Sequence, residues 1–369
     1  MYILPALLGF FLLIQLYYII FVYGRLRVYK APALDPQFAY PPVSVIICAR
    51  NEEANLRLYL SEILEQDYPT YEVIVVNDCS ADDTKWVLKE FQERYSHLKV
   101  VAITEQGAFR QGKKFAVTLG VKGAQYEHLV LTDADCYPQS NQWLRHMAQG
   151  FAPGIDIVLG YSPYLAGKGF LNKYIRFETF QTALNYLSFA LKKNAYMGVG
   201  RNLAYTKSLF FKGKGFAAHM HIPSGDDDLF VNQNASRSNV AICTHADAFV
   251  WSTPKSSYRD YKRQKERHFG ASKMYRWKHK WALSIQAAST LLFYLFIILL
   301  LLLQPYFWYF AVGAYVLRLL LVLMVCCPIM KRFRVGSLMA WWPLMDIFHV
   351  IYIAVKGIGA QFKKDTPWK

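Results

Sequence analysis

Two carboxylates, Asp133 and Asp135, follow a hydrophobic strand that the sequence predicts over 128–132. Alternate residues of an extended segment point the same way, so both carboxylates can face one point just past the strand. Hard oxygen ligands at that point suit a divalent metal ion that neutralises phosphate groups. Aspartate after a strand is also common in turns. Taken alone, the pair therefore favours an ordinary turn, and the metal interpretation depends on what the rest of the chain places nearby.

Further polar residues follow the other predicted strands. Apolar runs over 43–49, 72–77 and 98–103 alternate with helical stretches, which predicts a parallel sheet covered by helices on both faces. Ligands bind at the carboxyl ends of such strands. The polar residues expected there are Arg50, Asn51, Glu52, Asp78 and Lys113. The sequence has no glycine-rich dinucleotide motif and no Walker loop, so a metal ion and Lys or Arg would have to bind any phosphate.

A second acidic motif, Asp226-Asp227-Asp228, opens a predicted helix. Three acidic residues at a helix start can serve as caps alone, because they complement the helix dipole. Adjacent carboxylates also repel each other, and partial burial then raises the proton affinity of one of them. A carboxylate with raised proton affinity can act as a general base. Both interpretations stay open from these residues alone.

Long apolar segments lie on both sides of this region. Three runs of about 20 residues are long enough to cross a hydrocarbon layer of about 30 Å, at 2–23, 282–303 and 306–327. A fourth run, 337–358, is interrupted by Pro343 and carries Asp346 and His349, so it is either a span or a re-entrant hairpin. The stretch between the first and second runs is long enough for one soluble domain with a core.

The first apolar run is expected to be a retained anchor. It has no basic segment before it and is longer than the apolar part of a typical signal peptide. Arg25, Arg27 and Lys30 follow it directly, which places its carboxyl end in the cytoplasm by the positive-inside rule. The six cysteines show neither a metal-binding spacing nor a disulfide framework, which fits a reducing cytosol.

The formal net charge of +16 is concentrated near the membrane segments. Residues 255–281 contain ten Lys or Arg against Asp260 and Glu266. Such a run can bind nucleic acid, but this one adjoins an apolar span and includes Trp277 and Trp281, which are typical of a membrane interface. We therefore expect a lipid bilayer, and no nucleic acid, as its partner.

Several short motifs occur in a defined order over about residues 42–270. They are the strand and Asn-Glu turn at 43–53, Asp78, Gly112-Lys113, Asp133 with Asp135, Gly200-Arg201-Asn202, the acidic motif at 226–228, and Gln264 with Arg267. Together they resemble the family 2 glycosyltransferases with a GT-A fold, especially the membrane-embedded branch. That branch includes hyaluronan, chitin, cellulose and poly-N-acetylglucosamine synthases and ceramide glucosyltransferase.

The resemblance implies a role for each motif. The residues expected to bind the nucleotide sugar are Asn51, Glu52, Asp78, Lys113, Asp133, Gln264 and Arg267. Asp135, with Asp133, is expected to hold Mg²⁺ or Mn²⁺. Gly200 and Asn202 are expected on the acceptor side.

The family pattern leaves open which aspartate of the acidic motif is the catalytic base. The sequence also departs from that pattern at one position. Counting back three residues from the leucine of the family motif selects Asp226 as the base, whereas the Gly-Asp-Asp pattern selects Asp227, which we favour slightly. The family's acceptor-side tryptophan after Gln264 and Arg267 is replaced by His268. This departure argues against a grip on a growing polymer.

The resemblance implies an α/β GT-A fold, a Rossmann-like mixed sheet with helices on both faces, in a cytoplasmic domain flanked by transmembrane helices. The expected divisions are an anchor at 1–23, a linker at 24–41, the GT-A domain at 42–254, a basic interfacial segment at 255–281 and a membrane region at 282–369. We expect an integral protein of a bacterial inner membrane.

The expected reaction is an inverting, metal-dependent transfer of a sugar from a nucleotide sugar, expected to be UDP-linked. The acceptor would be a membrane lipid or a lipid-linked molecule. The alternatives are a processive polysaccharide synthase and, more remotely, an inactive nucleotide-binding scaffold.

Overall fold

The computed structural model describes residues 2–104, 112–220, 222 and 224–360, with side chains for all of these except 267–269 and 356–360.

A seven-stranded mixed sheet forms the centre of the domain, in the order β3-β2-β1-β4-β7-β6-β8. Its strands are β1 Val43–Ala49, β2 Tyr71–Asp78, β3 Leu98–Ile103, β4 His128–Asp133, β6 Ile157–Gly160, β7 Leu203–Thr206 and β8 Val240–Cys243. A second, two-stranded sheet pairs β5 Cys136–Pro138 with β9 Val250–Ser252. The first four strands are parallel, as predicted, whereas β7 runs antiparallel to both β4 and β6.

Helices cover both faces of the large sheet. They are α3 Glu53–Leu64, α4 Thr84–Arg94, α5 Lys113–Gly123, α6 Trp143–Gln149, α7 Gly169–Leu191, α8 Lys207–Lys212, α9 Asp228–Asn234 and α10 Tyr258–Ser272. Two large clusters of buried apolar side chains result, because central parallel strands bury residues on both faces. The longest of these helices, α7, contributes Phe177, Phe180, Leu184 and Leu187, all fully buried, to the first cluster.

The remaining helices are apolar. They are α1 Ile3–Tyr17, which continues through a π-helical turn into α2 Gly24–Val28, then α11 Trp277–Leu303, α12 Trp308–Arg332 and α13 Trp342–Ala360. Four segments are long and apolar enough to cross a membrane, namely Ile3–Val28, Trp277–Leu303, Pro305–Arg332 and Gly336–Val355.

The fourth apolar run is a 3₁₀ segment, Gly336–Trp341, followed directly by the helix α13, rather than a hairpin. Pro343, which we expected to interrupt it, is the second residue of α13. A proline in the first helical turn disturbs no helical hydrogen bond, because the first N–H groups of a helix have no partner within it. The run is therefore helical from Trp342 onward.

Polar side chains inside the apolar helices pair with one another. Arg318 of α12 forms an ion pair with Asp346 of α13, with a distance of 2.7 Å from Nη1 to Oδ2. Tyr294 of α11 donates to the same carboxylate at 2.6 Å. Gln15 of α1 accepts from Arg318 at 3.3 Å and donates to Ser289 at 2.6 Å. We call these five residues the four-helix polar cluster. It ties all four apolar segments together and leaves neither charge facing lipid unpaired.

Candidate active site

The carboxyl ends of β1, β2 and β4 lie side by side and bring the loops after them together. Asn51 has a positive φ of 56°, which asparagine tolerates better than most residues. Its backbone N–H donates to Ser80 at 3.0 Å, and its side chain accepts from the Ala81 N–H at 2.8 Å. The backbone N–H of Glu52 donates to Thr84 at 3.1 Å. The predicted Asn-Glu turn is thus fastened to the loop after β2.

Asp78 ends β2 and is fully buried. Burial raises the pKa of its carboxyl, and the nearby charge of Arg50 opposes that rise. Asp133 ends β4, which lies on the other side of β1, and is partly exposed, with 29% of its side chain accessible. The two residues therefore lie at one edge of the sheet, as the sequence predicted, with Asp133 the more accessible of the two.

Lys113 joins the two acidic motifs. It is the first residue of α5, and its Nζ lies 2.9 Å from Oδ1 of Asp133 and 3.0 Å from Oδ2 of Asp226. Burial acts to lower the pKa of Lys113, but the surrounding carboxylates outweigh it and hold the pKa well above its ordinary value. A fixed ammonium thus lies between the carboxylate after β4 and the acidic motif more than 90 residues further along the chain.

The acidic motif follows a tight turn at Gly225. This residue has a φ of +95°, and a Cβ placed there would lie 2.5 Å from Leu229, so only glycine fits. Asp226 is 8% exposed. Burial raises the pKa of the Asp226 carboxyl, and Lys113 opposes the rise. The proton affinity of Asp226 is therefore higher than that of an ordinary aspartate.

The other two members of the motif have different partners. Asp227 accepts from the backbone N–H of Gly200 at 2.8 Å and from that of Asp228 at 2.7 Å. Asp228 accepts from the hydroxyl of Tyr275 at 2.8 Å. Burial, and then the charge of Asp227, raise the pKa of Asp228 to about 7. Asp227 is thus held by backbone groups, whereas Asp228 faces the segment that leads into α11.

Lys114 fixes the loop that precedes the acidic motif. It is 3% exposed, and its Nζ donates to the carbonyls of His219 at 2.6 Å and Ile222 at 3.0 Å. Burial lowers the pKa of Lys114 to about 8. The two adjacent lysines at the start of α5 therefore have different partners. Lys113 pairs with carboxylates, whereas Lys114 donates to backbone carbonyls.

Gly200 lies close to the motif, whereas the Asn202 side chain points into the fold. Asn202 is fully buried, and its amide donates to the carbonyls of Tyr161 at 2.9 Å and Ala248 at 2.8 Å. Its Oδ1 accepts from Trp143 at 3.0 Å, and the missing side chain of Gly160 leaves room for it. The Asn202 side chain is thus held inside the fold, and its place on the acceptor side stays a prediction. With its hydrogen-bonding capacity used inside the fold, this residue fixes the turn that carries Gly200.

The residues after β4 fit a divalent metal ion. Asp133, Asp135 and Cys136 each offer a ligand atom within 4.8 Å of the others. Burial raises the pKa of the Cys136 thiol well above its ordinary value, and Mg²⁺ and Mn²⁺ prefer oxygen ligands to a thiol. The two carboxylates remain, and they suit Mg²⁺ or Mn²⁺, which bind oxygen ligands and complete their coordination with water and substrate phosphates.

Gln264 of α10 donates to the hydroxyl of Tyr164 at 3.2 Å, and the ring of Tyr164 lies against the guanidinium of Arg201. Arg267 and His268 belong to the same helix, but their side chains lie outside the described residues. Arg201 was not singled out from the sequence. The one indication in the sequence that Arg201 belongs to the site is its position between Gly200 and Asn202 of the predicted motif.

A buried ion pair holds α10 against α7. Nζ of Lys265 lies 2.6 Å from Oε1 of Glu178, and the hydroxyl of Tyr261 donates to Oε2 of the same carboxylate at 3.0 Å. Burial acts to raise the pKa of Glu178, but Lys265 outweighs it and the pKa lies below its ordinary value. The helix that carries Gln264 is therefore anchored by charge as well as by packing.

The profile of the family described as Glycosyl transferase family 2 matches residues 44–212. Residues 44–212 are a family 2 glycosyltransferase domain. The match begins in β1 and ends with α8, so it includes Asp78, Lys113, Asp133 and Asp135, whereas the acidic motif and α10 lie beyond it. The family resemblance expected from the motifs is thus confirmed.

Three relatives of this domain are named as a glycosyltransferase or as a synthase whose product contains sugar. Glycosyltransferase AglE of Haloferax volcanii is 36% identical over 123 residues, which are 32% of this chain and 39% of the relative. A poly-beta-1,6-N-acetyl-D-glucosamine synthase of Staphylococcus epidermidis is 32% identical over 93 residues, 25% of this chain and 21% of the relative. A beta-monoglucosyldiacylglycerol synthase of Trichormus variabilis is 31% identical over 125 residues, 33% of this chain and 26% of the relative. The aligned regions span well under half the length of each relative.

One solved structure resembles the chain over nearly its whole length. The mannosyltransferase PcManGT from Pyrobaculum calidifontis, in complex with GDP-Man and Mn²⁺, superposes with a TM-score of 0.59 at 20% identity and covers 96% of this chain and 99% of that one. This likeness, the mixed sheet and the family match confirm the predicted GT-A fold with apolar helices at both ends.

Proposed function

We propose that the protein transfers a sugar, with inversion, from a nucleotide sugar to a hydroxyl group of a lipid or lipid-linked acceptor at the membrane surface. The observation that carries the proposal is the bridge made by Lys113, which forms ion pairs with both Asp133 at the end of β4 and Asp226 of the acidic motif. It joins the residues suited to bind a diphosphate to those suited to remove a proton. The family 2 domain supports glycosyl transfer as the reaction.

Within the acidic motif we propose Asp226 as the general base. Both oxygens of Asp227 accept backbone N–H groups, which holds this carboxylate in one position. Burial gives Asp226 a raised pKa, and a base is most effective when its pKa lies near the working pH. This reverses the slight preference for Asp227 that motif register suggested. Asp227 would instead orient the turn at Gly200.

On the donor side, we propose that Asp135 and Asp133 hold Mg²⁺ or Mn²⁺, which would supply charge neutralisation to the leaving diphosphate. Lys113 would add a fixed positive charge at the same place. Asn51, Glu52 and Asp78 would form the nucleotide end of the site, and Gln264 and Arg267 would approach from α10. His268, from the same helix, would lie on the acceptor side. Proton removal by Asp226 would accompany attack of the acceptor oxygen on the anomeric carbon.

The short distance between the acidic motif and the apolar helices supports a membrane acceptor. Tyr275, which bonds Asp228, lies two residues before Trp277, the first residue of α11. The beta-monoglucosyldiacylglycerol synthase among the relatives is named for a lipid product. Arg25, Arg27 and Lys30 follow the first apolar segment and, by the positive-inside rule, support a site at the cytoplasmic face.

A processive polysaccharide synthase is the second candidate, because one relative is named as a poly-beta-1,6-N-acetyl-D-glucosamine synthase. To separate the two, purified protein with Mg²⁺ or Mn²⁺ would be incubated with a panel of radiolabelled UDP-sugars, GDP-mannose and membrane lipids. We expect a single-sugar product that extracts into organic solvent. A long water-soluble polymer would contradict the lipid proposal and support the second candidate.

A matched pair of variants tests the assignment of the base. Asp226→Asn should lose turnover while it retains nucleotide binding, and Asp227→Asn should retain part of its turnover. The opposite order of effects would return the base to Asp227. A wild-type protein that gains thermal stability from UDP or GDP but forms no product would instead be an inactive nucleotide-binding scaffold. A bound ligand at about 100 times its dissociation constant should stabilise the protein by about 2.7 kcal/mol.

A further inference from the structure

Arg201 is held in place beside the residues after β4. It is the middle residue of the 3₁₀ turn Gly200–Asn202. Its guanidinium lies 4.2 Å from the ring centroid of Tyr164, and its Nη2 donates to the carbonyl of Ser162 at 3.2 Å. Such stacking leaves the edge of the guanidinium free to donate hydrogen bonds.

The backbone on both sides of Arg201 is fixed as well. The N–H of Gly200 is bound by Asp227, and the side chain of Asn202 is bound inside the fold. Tyr164 in turn accepts a hydrogen bond from Gln264 of α10. The position of the guanidinium is therefore set by elements from three parts of the chain, as binding a ligand of defined shape requires.

One end of this guanidinium is buried, and no residue in the described part of the chain accepts a hydrogen bond from it. Nη1 of Arg201 is inaccessible to solvent and has no hydrogen-bond partner among the described residues. Burial acts to lower the pKa of Arg201, but Tyr164 and the carboxylates after β4 outweigh it, so the group stays charged. A buried, charged donor without a partner is unfavourable, and an anion that reached it would satisfy it.

We infer that Arg201 contacts the diphosphate of the nucleotide sugar and is a donor-binding residue additional to Lys113. This inference rests on the proposed function. In the transfer step the acceptor O–H loses its proton to Asp226 and forms the new bond to the anomeric carbon. The bond from that carbon to the diphosphate oxygen breaks, and its electron pair stays on the diphosphate. Arg201 then donates to an oxygen whose negative charge is growing.

The test compares the binding of UDP with that of uridine, which lacks phosphate, by competition against a fluorescent UDP analogue. Arg201→Met should weaken UDP binding by about 10- to 100-fold, the range for a hydrogen bond to a charged group. It should leave uridine binding unchanged. Arg201→Lys, which keeps the charge but not the planar fork, should fall between the two.

Arg145→Met is the matched control. Arg145 also stacks on a tyrosine, 5.1 Å from the ring of Tyr40, but it pairs with Asp67 on the surface. This variant should bind UDP as the wild type does. Because binding is measured without turnover, the readout does not depend on the acceptor.

Three outcomes would overturn the inference. If wild type binds UDP and Arg201→Met binds it equally well, Arg201 does not contact the diphosphate. If Arg201→Met loses UDP and uridine to the same degree, its role is to support Tyr164 and the fold. If the wild type binds neither UDP nor GDP, the proposed function fails and the inference fails with it. Wild-type binding therefore distinguishes a failure of the proposed function from a failure of the inference alone.

Discussion

The ion pair between Glu178 and Lys265 allows a direct test of what holds α10 in position. The side chains are only 10% and 16% exposed, and they meet at 2.6 Å. Glu178→Gln keeps the shape of the side chain and removes its charge, which leaves the ammonium of Lys265 partly buried without its partner. Lys265→Met removes the ammonium and leaves the carboxylate of Glu178 buried without its partner.

The cost of each single change follows from this burial. Breaking a buried ion pair by removing one partner costs about 3–5 kcal/mol, because the remaining charge is uncompensated. The partial exposure of Lys265 places Glu178→Gln near the lower end of that range. At about 2–4 °C per kcal/mol, a loss of about 3 kcal/mol lowers the midpoint of thermal unfolding by about 6–12 °C. The double variant should lie close to the wild type, because no buried charge is left unpaired.

Thermal unfolding in detergent, followed by tryptophan fluorescence at neutral pH, would measure these midpoints. UDP affinity would be measured in parallel, since displacement of α10 should weaken donor binding in the single variants. Arg57→Met is the control, because its pairs with Glu53 and Glu90 are exposed and worth little. Because the pKa of Glu178 is lowered in the folded protein, the pair should also lose its effect as the pH falls below the ordinary value of 4.5.

Two results would refute this reasoning. Single variants that melt within about 2 °C of the wild type would show that packing alone holds α10. Single effects that add in the double variant would show that the two side chains act independently.

Three further predictions concern stability and metal binding. Burial raises the folded-state pKa of Asp228 to about 7, so its contribution to stability should be present below the ordinary value of 3.8 and disappear as the pH rises through about 7. The melting temperature should therefore fall as the pH rises toward 7, and Asp228→Asn should make this fall smaller. An unchanged dependence of melting temperature on pH would contradict the raised pKa of Asp228. Gly120→Ala should lower stability by about 1–3 kcal/mol through overpacking, because its Cβ would lie 2.6 Å from Ile46, whereas the roomier Gly123→Ala should be neutral or stabilising. Asp135→Ala should abolish any effect of Mn²⁺ on UDP affinity, and a retained effect would place the metal elsewhere.

Much of the sheet was predictable because its strands are buried on both faces. The apolar runs located the first four strands to within a residue at either end, and the polar residues after them do converge. The antiparallel strand β7 was not predicted. It has only four residues, and its partner β4 lies about 70 positions earlier, so no local pattern reveals the pairing.

The candidate site shows the same division between local and long-range information. Asp133, Asp135 and Lys113 could be found because residue type and position after a strand indicate their chemistry. The burial of Asn202 could not be found, because it depends on carbonyls from distant segments. Arg201 was missed for a related reason. A basic residue inside a motif resembles any surface arginine until Tyr164 is known to lie beside it.

The four-helix polar cluster also has a consequence for biogenesis. Gln15 and Arg318 are separated by 303 positions, and Asp346 is made later still. At a translation rate of about 5–20 residues per second, Arg318 is synthesised roughly 15–60 s after Gln15. The whole catalytic domain is translated within that interval. The domain can therefore fold before the membrane bundle closes, and a chain stalled before α12 would lack the Arg318 donor to the side-chain oxygen of Gln15.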